Sequence, residues 1–212
     1  MNRIKKLLFP NICGICQKVS KTHICPKCLL KLKNISETKI QIYTNKPYNE
    51  YAYLFKYDGV IRERLIQYKF FEDGYLYKTF AEAILKNNKI CSFITKYDII
   101  IPVPVHKKRK RQRGYNQTEL IAKVLSKKLD IQLEIDVLLK LKNTKAQSTL
   151  NKENRKINAK GVYQLQNKEK INGKKILLLD DIYTTGSTVN EVSKVLQGAM
   201  PQKIGVLTIA KD

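Results

Sequence analysis

The sequence predicts an α/β chain, a parallel sheet covered by helices, with a small four-cysteine module at its N-terminus. Three observations carry that expectation. Short apolar runs fit for buried strands alternate with segments of helical periodicity. Four of the five cysteines fall within residues 13–28, as two Cys-x-x-Cys pairs. One apolar run, residues 175–180, leads into two adjacent aspartates and a turn of small residues.

A chain of 212 residues with 43% hydrophobic content can hold one medium α/β domain and an appendage. No apolar run approaches the roughly 18 residues that span a bilayer, so no membrane insertion is expected. The opening "MNRIKKLLFP" has too few apolar residues for a signal peptide, and the chain reads as cytoplasmic. Five cysteines in that compartment favour metal or thiol chemistry over disulfides. The net charge of +23 comes from 41 basic against 18 acidic residues. Such self-repulsion suits a polyanion partner, nucleic acid before membrane surface. With only 7 arginines among those bases, an AT-rich, lysine-favouring composition is the other explanation.

Residues 1–45 form the first expected unit. Cys13 and Cys16, then Cys25 and Cys28, each place two thiolates on one side of a tight turn, and two such turns close a tetrahedron around Zn²⁺. Gly14 relieves crowding in one turn and Pro26 fixes the other. Four protein ligands leave no open position, so the zinc is structural. His23, between the pairs, is either a substitute ligand or a surface residue, and Cys91 reads as a buried small hydrophobe. The module carries nine bases and one acid, enough to touch a phosphate backbone or simply to be well solvated.

Residues 46–212 form the second unit, after a linker spanning residues 36–50. Val60, Ile61, Leu65 and Ile66 give one helical stripe, with Arg62, Arg64 and Lys69 on its polar side. Phe80, Ala83 and Ile84 give a second. Residues 97–105, "YDIIIPVPV", read as a buried parallel strand closing on a rigid loop. A loop follows in which six of the seven residues 107–113 are basic. Leu120, Ile121, Val124, Leu125 and Leu129 mark a helix over 117–129. Residues 140–160 are polar and aperiodic, and long loops of that kind are usually functional. "GVYQL", "KKILLLDD" and "KIGVLTIA" supply further strands of the sheet, with a helix between the last two.

The aspartates need a reason that packing does not supply. Strand 175–180 brings Asp180 and Asp181 to the carboxyl edge of the sheet, where open α/β sheets bind ligands. Thr184, Thr185, Gly186, Ser187 and Thr188 then lead into a helix, offering N–H groups and hydroxyls to a monophosphate. Phosphate at one end and two carboxylates for a diol and a hydrated Mg²⁺ describe a ribose 5-phosphate site.

"ILLLDDIYTTGST" resembles the phosphoribosyl pyrophosphate (PRPP) signature of type I phosphoribosyltransferases. Together with the four cysteines, "YDG" (57–59), "PVP" (102–104), "RGYNQ" (113–117) and "AQSTLNKENRKIN" (146–158), it makes the whole chain resemble the ComF family of competence-associated proteins. The resemblance implies a type I phosphoribosyltransferase fold with a small N-terminal zinc module. It implies that Asp180 and Asp181 hold the ribose hydroxyls with Mg²⁺ nearby, and that residues 184–188 hold the 5-phosphate. Lys107, Arg109 and Arg113 would face the pyrophosphate, and Lys145, Gln147 and Arg155 would fold over the site.

Two functions follow. In one, the zinc module and basic loops handle single-stranded DNA during natural transformation, beside a DNA-translocating helicase of the competence machinery, and the PRPP site senses or transfers. Interleaved bases and aromatics in "YAYLFKY" and "RQRGYNQ" would then stack nucleobases, unless those tyrosines are core. In the other, the protein is a nucleobase-salvage phosphoribosyltransferase and its charge is compositional. No segment announces a base-recognition pocket, so the acceptor is left open.

Overall fold

The computed structural model describes residues 11–70, 74–143 and 161–212. The strands, in chain order, are β1 (Ser36–Ile42), β2 (Glu50–Lys56), β3 (Ile99–Pro102), β4 (Gln132–Leu133), β5 (Leu138–Lys140), β6 (Tyr163–Leu165), β7 (Lys175–Tyr183) and β8 (Lys203–Lys211). The helices are α1 (Pro26–Asn34), α2 (Gly59–Phe70), α3 (Leu76–Leu85), α4 (Asn88–Ile94), α5 (Lys107–Arg113), α6 (Gln117–Leu129) and α7 (Ser187–Gln197). Six strands make one sheet in the order β1-β2-β8-β7-β3-β4, parallel except for β1.

The apolar runs are continuous because both faces of this sheet are covered. In β7, Leu177 and Leu179 face one core while Ile176 and Leu178 face the other. The first core is closed by Ile61 and Leu65 of α2, Phe80 and Ile84 of α3, and Ile121 and Leu125 of α6. The second is closed by Val189, Val192 and Leu196 of α7, with Leu138 and Tyr163 from a β5–β6 hairpin. No helix among the described residues is long and apolar enough to cross a membrane.

The structure departs from the sequence reading in five places. Residues 36–42, expected in a linker, form β1 and pair antiparallel with β2, so the expected boundary at residue 45 falls between two paired strands. Its polar, half-exposed alternation is what an edge strand needs, and the same pattern imitates a linker. "GVYQL" yields β6, which pairs with β5 rather than joining the main sheet. The strand read at 97–105 is confined to residues 99–102. The basic loop after it is a short helix, α5, ended by Gly114 at φ +79°. β7 runs three residues beyond 180, so both aspartates lie inside a strand.

The cysteine module belongs to the first core. Cys13, Ile15, Ile24, Cys28 and Leu32 pack in the same apolar cluster as Leu65, Leu76 and Phe80. A Cβ on Gly14 would lie 2.1 Å from the Thr79 hydroxyl, so it is this contact with α3, rather than the turn, that requires glycine. The Thr79 hydroxyl donates to the His23 carbonyl (3.3 Å), and the His23 N–H donates to Glu82 (3.0 Å).

Candidate functional site: a cationic cleft at the carboxyl edge

The carboxyl ends of β2, β8, β7 and β3 deliver Tyr57, Asp212, Asp180 with Asp181, and residues 103–105 to one cleft of about 450 Å³. Five cations line it as well: Arg62 and Lys69 from α2, Arg109 and Arg113 from α5, and Lys140 from β5. The expected polar side of α2 is therefore a wall of the site.

The two aspartates have different surroundings. Asp181 accepts from Lys69 Nζ at 2.8 Å and from the Gln117 amide at 2.8 Å. Gln117 in turn accepts from the Arg113 guanidinium. Asp180 accepts the Asp181 backbone N–H at 2.9 Å. Burial, reinforced by the Asp181 charge, pushes the Asp180 carboxyl up to about 7 against the pull of Lys69 and Lys140. Lys140 is drawn below the usual ammonium range by burial and by Arg109, with both aspartates opposing.

The segment "RGYNQT" builds this corner. Asn116 caps α6, accepting from the Thr118 N–H, and its amide donates to the Val103 carbonyl at 3.1 Å. The Thr118 hydroxyl donates to the same carbonyl at 2.8 Å, so α6 is pinned to the loop after β3. Tyr115 stacks on Tyr68 at 5.6 Å and donates to its carbonyl, while Tyr68 donates to the Gln117 carbonyl. These contacts fix α2, and with it Lys69, against Asp181.

Beyond β7, Gly186 adopts φ +73° and opens α7. A Cβ there would meet the Tyr183 hydroxyl at 2.3 Å, so both backbone and space demand glycine. Asp180, Thr184, Gly186, Ser187 and Thr188 line a small hollow of about 20 Å³, and Thr184 and Thr188 also reach the cleft. Thr185 instead hydrogen-bonds the Ser187 hydroxyl at 2.7 Å.

In the cysteine module, the four thiol sulfurs of Cys13, Cys16, Cys25 and Cys28 lie within 4.8 Å of one another. Cys16 Sγ and Cys25 Sγ are 3.9 Å apart, against about 3.8 Å for two sulfurs on a tetrahedral zinc. The Cys25 N–H donates to Cys13 Sγ. Burial would raise the Cys13 thiol, but backbone N–H groups of Cys16, Cys25 and Ile15 outweigh it and hold it down to about 7. The donor set fits Zn²⁺. His23 stands outside this cluster, and Cys91 is half-buried, donating toward the Ile84 and Leu85 carbonyls.

Of the residues singled out in the sequence, Asp180, Asp181, Thr184, Thr188, Arg109 and Arg113 line the cleft, while Lys107 is exposed on α5 outside its lining. Lys145, Gln147 and Arg155 lie outside the described residues. Tyr51, Tyr53 and Phe55 are buried and Tyr115 is committed to Tyr68, so of the two alternatives these rings take the core one, whereas Tyr57 is half-buried and lines the cleft. Sequence reasoning missed Gln117, Lys140 and Tyr163 as cleft residues. The "NQ" after the basic run was the available signal for Gln117, whereas nothing local marks the other two.

A phosphoribosyl transferase domain matches residues 117–212, the span holding α6, β7, the turn at Gly186 and β8. Competence protein F of Haemophilus influenzae is 28% identical, covering 94% of this chain and 90% of its own. Competence protein ComFC of Bacillus subtilis is 25% identical over 92% of this chain and 75% of its own. The chain is similar to these competence proteins over nearly its whole length. Another similar protein, DNA utilization protein YhgH of Escherichia coli, is 26% identical over 87% of this chain and 83% of its own. The matched domain supplies the aspartates and the glycine turn, while the part before residue 117 supplies Lys69, Arg109, Arg113 and the cysteines. The two buried carboxylates, one already balanced by Lys69, are hard oxygen donors that suit a substrate-borne Mg²⁺ beside them.

Proposed function

We propose that the cleft binds PRPP together with Mg²⁺, and that the protein handles single-stranded DNA during natural transformation through its cationic surface. The observation that carries the reading of the cleft is the placement of Asp180 and Asp181. They sit at the carboxyl edge of the sheet, one short turn before a left-handed Gly186 at a helix N-terminus. The carboxylates would accept the ribose hydroxyls, and the hollow under residues 184–188 would take the 5-phosphate. Arg109 and Lys140, whose mutual repulsion is relieved by an anion, would face the pyrophosphate. Mg²⁺ would neutralise charge on the pyrophosphate oxygens. In a transfer, the chain's cations would stabilise the departing pyrophosphate as the bond from ribose C1 breaks.

DNA handling draws support from the relatives named as competence and DNA utilization proteins and from exposed Lys107, Lys108 and Arg111 on the solvent face of α5. The resemblance extends this to a DNA-translocating helicase as partner. Nucleobase salvage is the second reading, favoured by the Tyr57, Phe70 and Tyr163 rings in the cleft lining.

Calorimetric titration of PRPP with Mg²⁺ tests the first claim. Binding is expected in the native chain and is expected to vanish in the Asp180→Asn, Asp181→Asn double variant with its circular dichroism unchanged. Equal affinity in the two would overturn the assignment. Release of pyrophosphate on adding a neutral purine or pyrimidine would place salvage first.

A further inference from the structure

A second cavity, of about 310 Å³, opens beside the cleft. Lys69, Phe70, Arg109, Gln112 and Arg113 line it, and all but Gln112 also line the cleft, so the two spaces share a wall. Among the described residues its lining holds three cations, one amide, one aromatic ring and no carboxylate. Phe70 is 57% exposed there, with the Arg113 guanidinium 5.9 Å from its ring centre.

Two of the cations of this wall are held in place before any ligand arrives. Lys69 is fixed by Asp181, and Arg113 by Gln117. A neutral planar ligand would strip water from these cations and return no charge, which is costly. An anion without a ring would leave Phe70 exposed. A ring bearing a carboxylate answers both, because guanidinium takes carboxylate in a two-bonded fork and aromatic faces stack.

We infer that this cavity binds a planar aromatic or heteroaromatic acid, its ring against Phe70 and its carboxylate on Arg113 with Gln112 beside it. Its role as the second ligand next to the sugar rests on the PRPP reading; the binding itself does not.

The test is a titration of the whole chain, followed by NMR or calorimetry, with pyridine-3-carboxylate and pyridine-2,3-dicarboxylate as probes. Adenine, uracil, inorganic pyrophosphate and an oligothymidylate are the comparisons. The acids are expected to bind at least about tenfold more tightly than the neutral bases. Phe70→Ala is expected to cost about tenfold in acid affinity and Phe70→Tyr to restore most of it. Neutral bases binding as well as the acids would overturn the inference. So would Phe70→Ala binding like the native chain, or displacement of the acid by pyrophosphate or the oligonucleotide at equal concentration. Acid binding in a chain that fails to bind PRPP would uphold this inference and remove the sugar assignment.

Discussion

Lys69 Nζ lies 2.8 Å from a carboxylate oxygen of Asp181, whereas Asp180, its neighbour in the same strand, has no ion pair among the described residues. Only one of the two buried acids therefore has a basic side chain in direct contact among the described residues, and the other is the acid whose ionisation is unfavourable. The aspartate pair has a deficit of direct ion pairing, although five cations line the cleft around it.

Stability should record that deficit. A carboxyl raised in the fold from 3.8 to about 7 holds its proton more firmly folded than unfolded. Stability then falls as pH rises across that window, with a slope approaching about 1.4 kcal/mol per pH unit, and levels off above it. Asp180→Asn should flatten the slope and raise the melting temperature at pH 8, by about 2–4 °C per kcal/mol recovered. Melting curves of both proteins from pH 4.5 to 8.5 check this. Parallel profiles would show that Asp180 ionises freely.

The same proton competes with the sugar. If ionised Asp180 accepts a ribose hydroxyl, PRPP affinity should rise from pH 6 to pH 8, following loss of the proton near 7. Calorimetry in buffers of different ionisation heat should detect proton release on binding at pH 6.5. No release there would separate Asp180 from the bound ligand.

Gly186→Ala should cost about 1–3 kcal/mol, since alanine must adopt φ +73° and its methyl meets the Tyr183 hydroxyl. Denaturant unfolding measures the loss, and PRPP affinity should fall with it because the turn shapes the phosphate hollow. A native midpoint would mean that the turn relaxes freely.

Metal removal should reach far beyond the first residues. One zinc per chain is expected, and Cys13, Ile15 and Cys28 share a core with α2 and α3. Chelation should therefore lower the main thermal transition rather than release a separate module. A main transition untouched by chelator, in protein shown to have lost its zinc, would contradict that coupling.

On the DNA side, Lys107, Lys108 and Arg111 are exposed on α5 and stand outside the cleft lining. Replacing all three with glutamine should reduce the slope of log K against log salt for oligothymidylate by about 2, at roughly 0.7 per phosphate contact. An unchanged slope would move the strand to another face.

What the sequence revealed was what lies close together along the chain. Asp180 to Thr188 is one local motif, and the two cysteine pairs are another, so chemistry and spacing could be read directly. Arg62, Lys69, Gln117 and Lys140 reach the cleft from three separate elements, and their convergence depends on the packing of α2, α6 and the β5–β6 hairpin. In α2, one face carries Ile61, Leu65 and Tyr68 into the core, and the face that looks solvated in sequence is turned to the cleft. The tyrosines of β2 misled for the opposite reason: alternating with apolar residues and one lysine, they look like an exposed stacking surface, yet β2 is an inner strand covered on both faces.

Glu50 to Lys56 pair with Gly205 to Lys211, so β2 waits for one of its two neighbours until about 150 further residues have been made. Until those late residues leave the ribosome, β2 and the tyrosine-rich surface behind it have an open side. The four cysteines come close together in sequence, yet the sheet whose core they share closes only when β8 follows. Slow, long-range closure of this kind leaves a nascent chain dependent on being shielded while it waits.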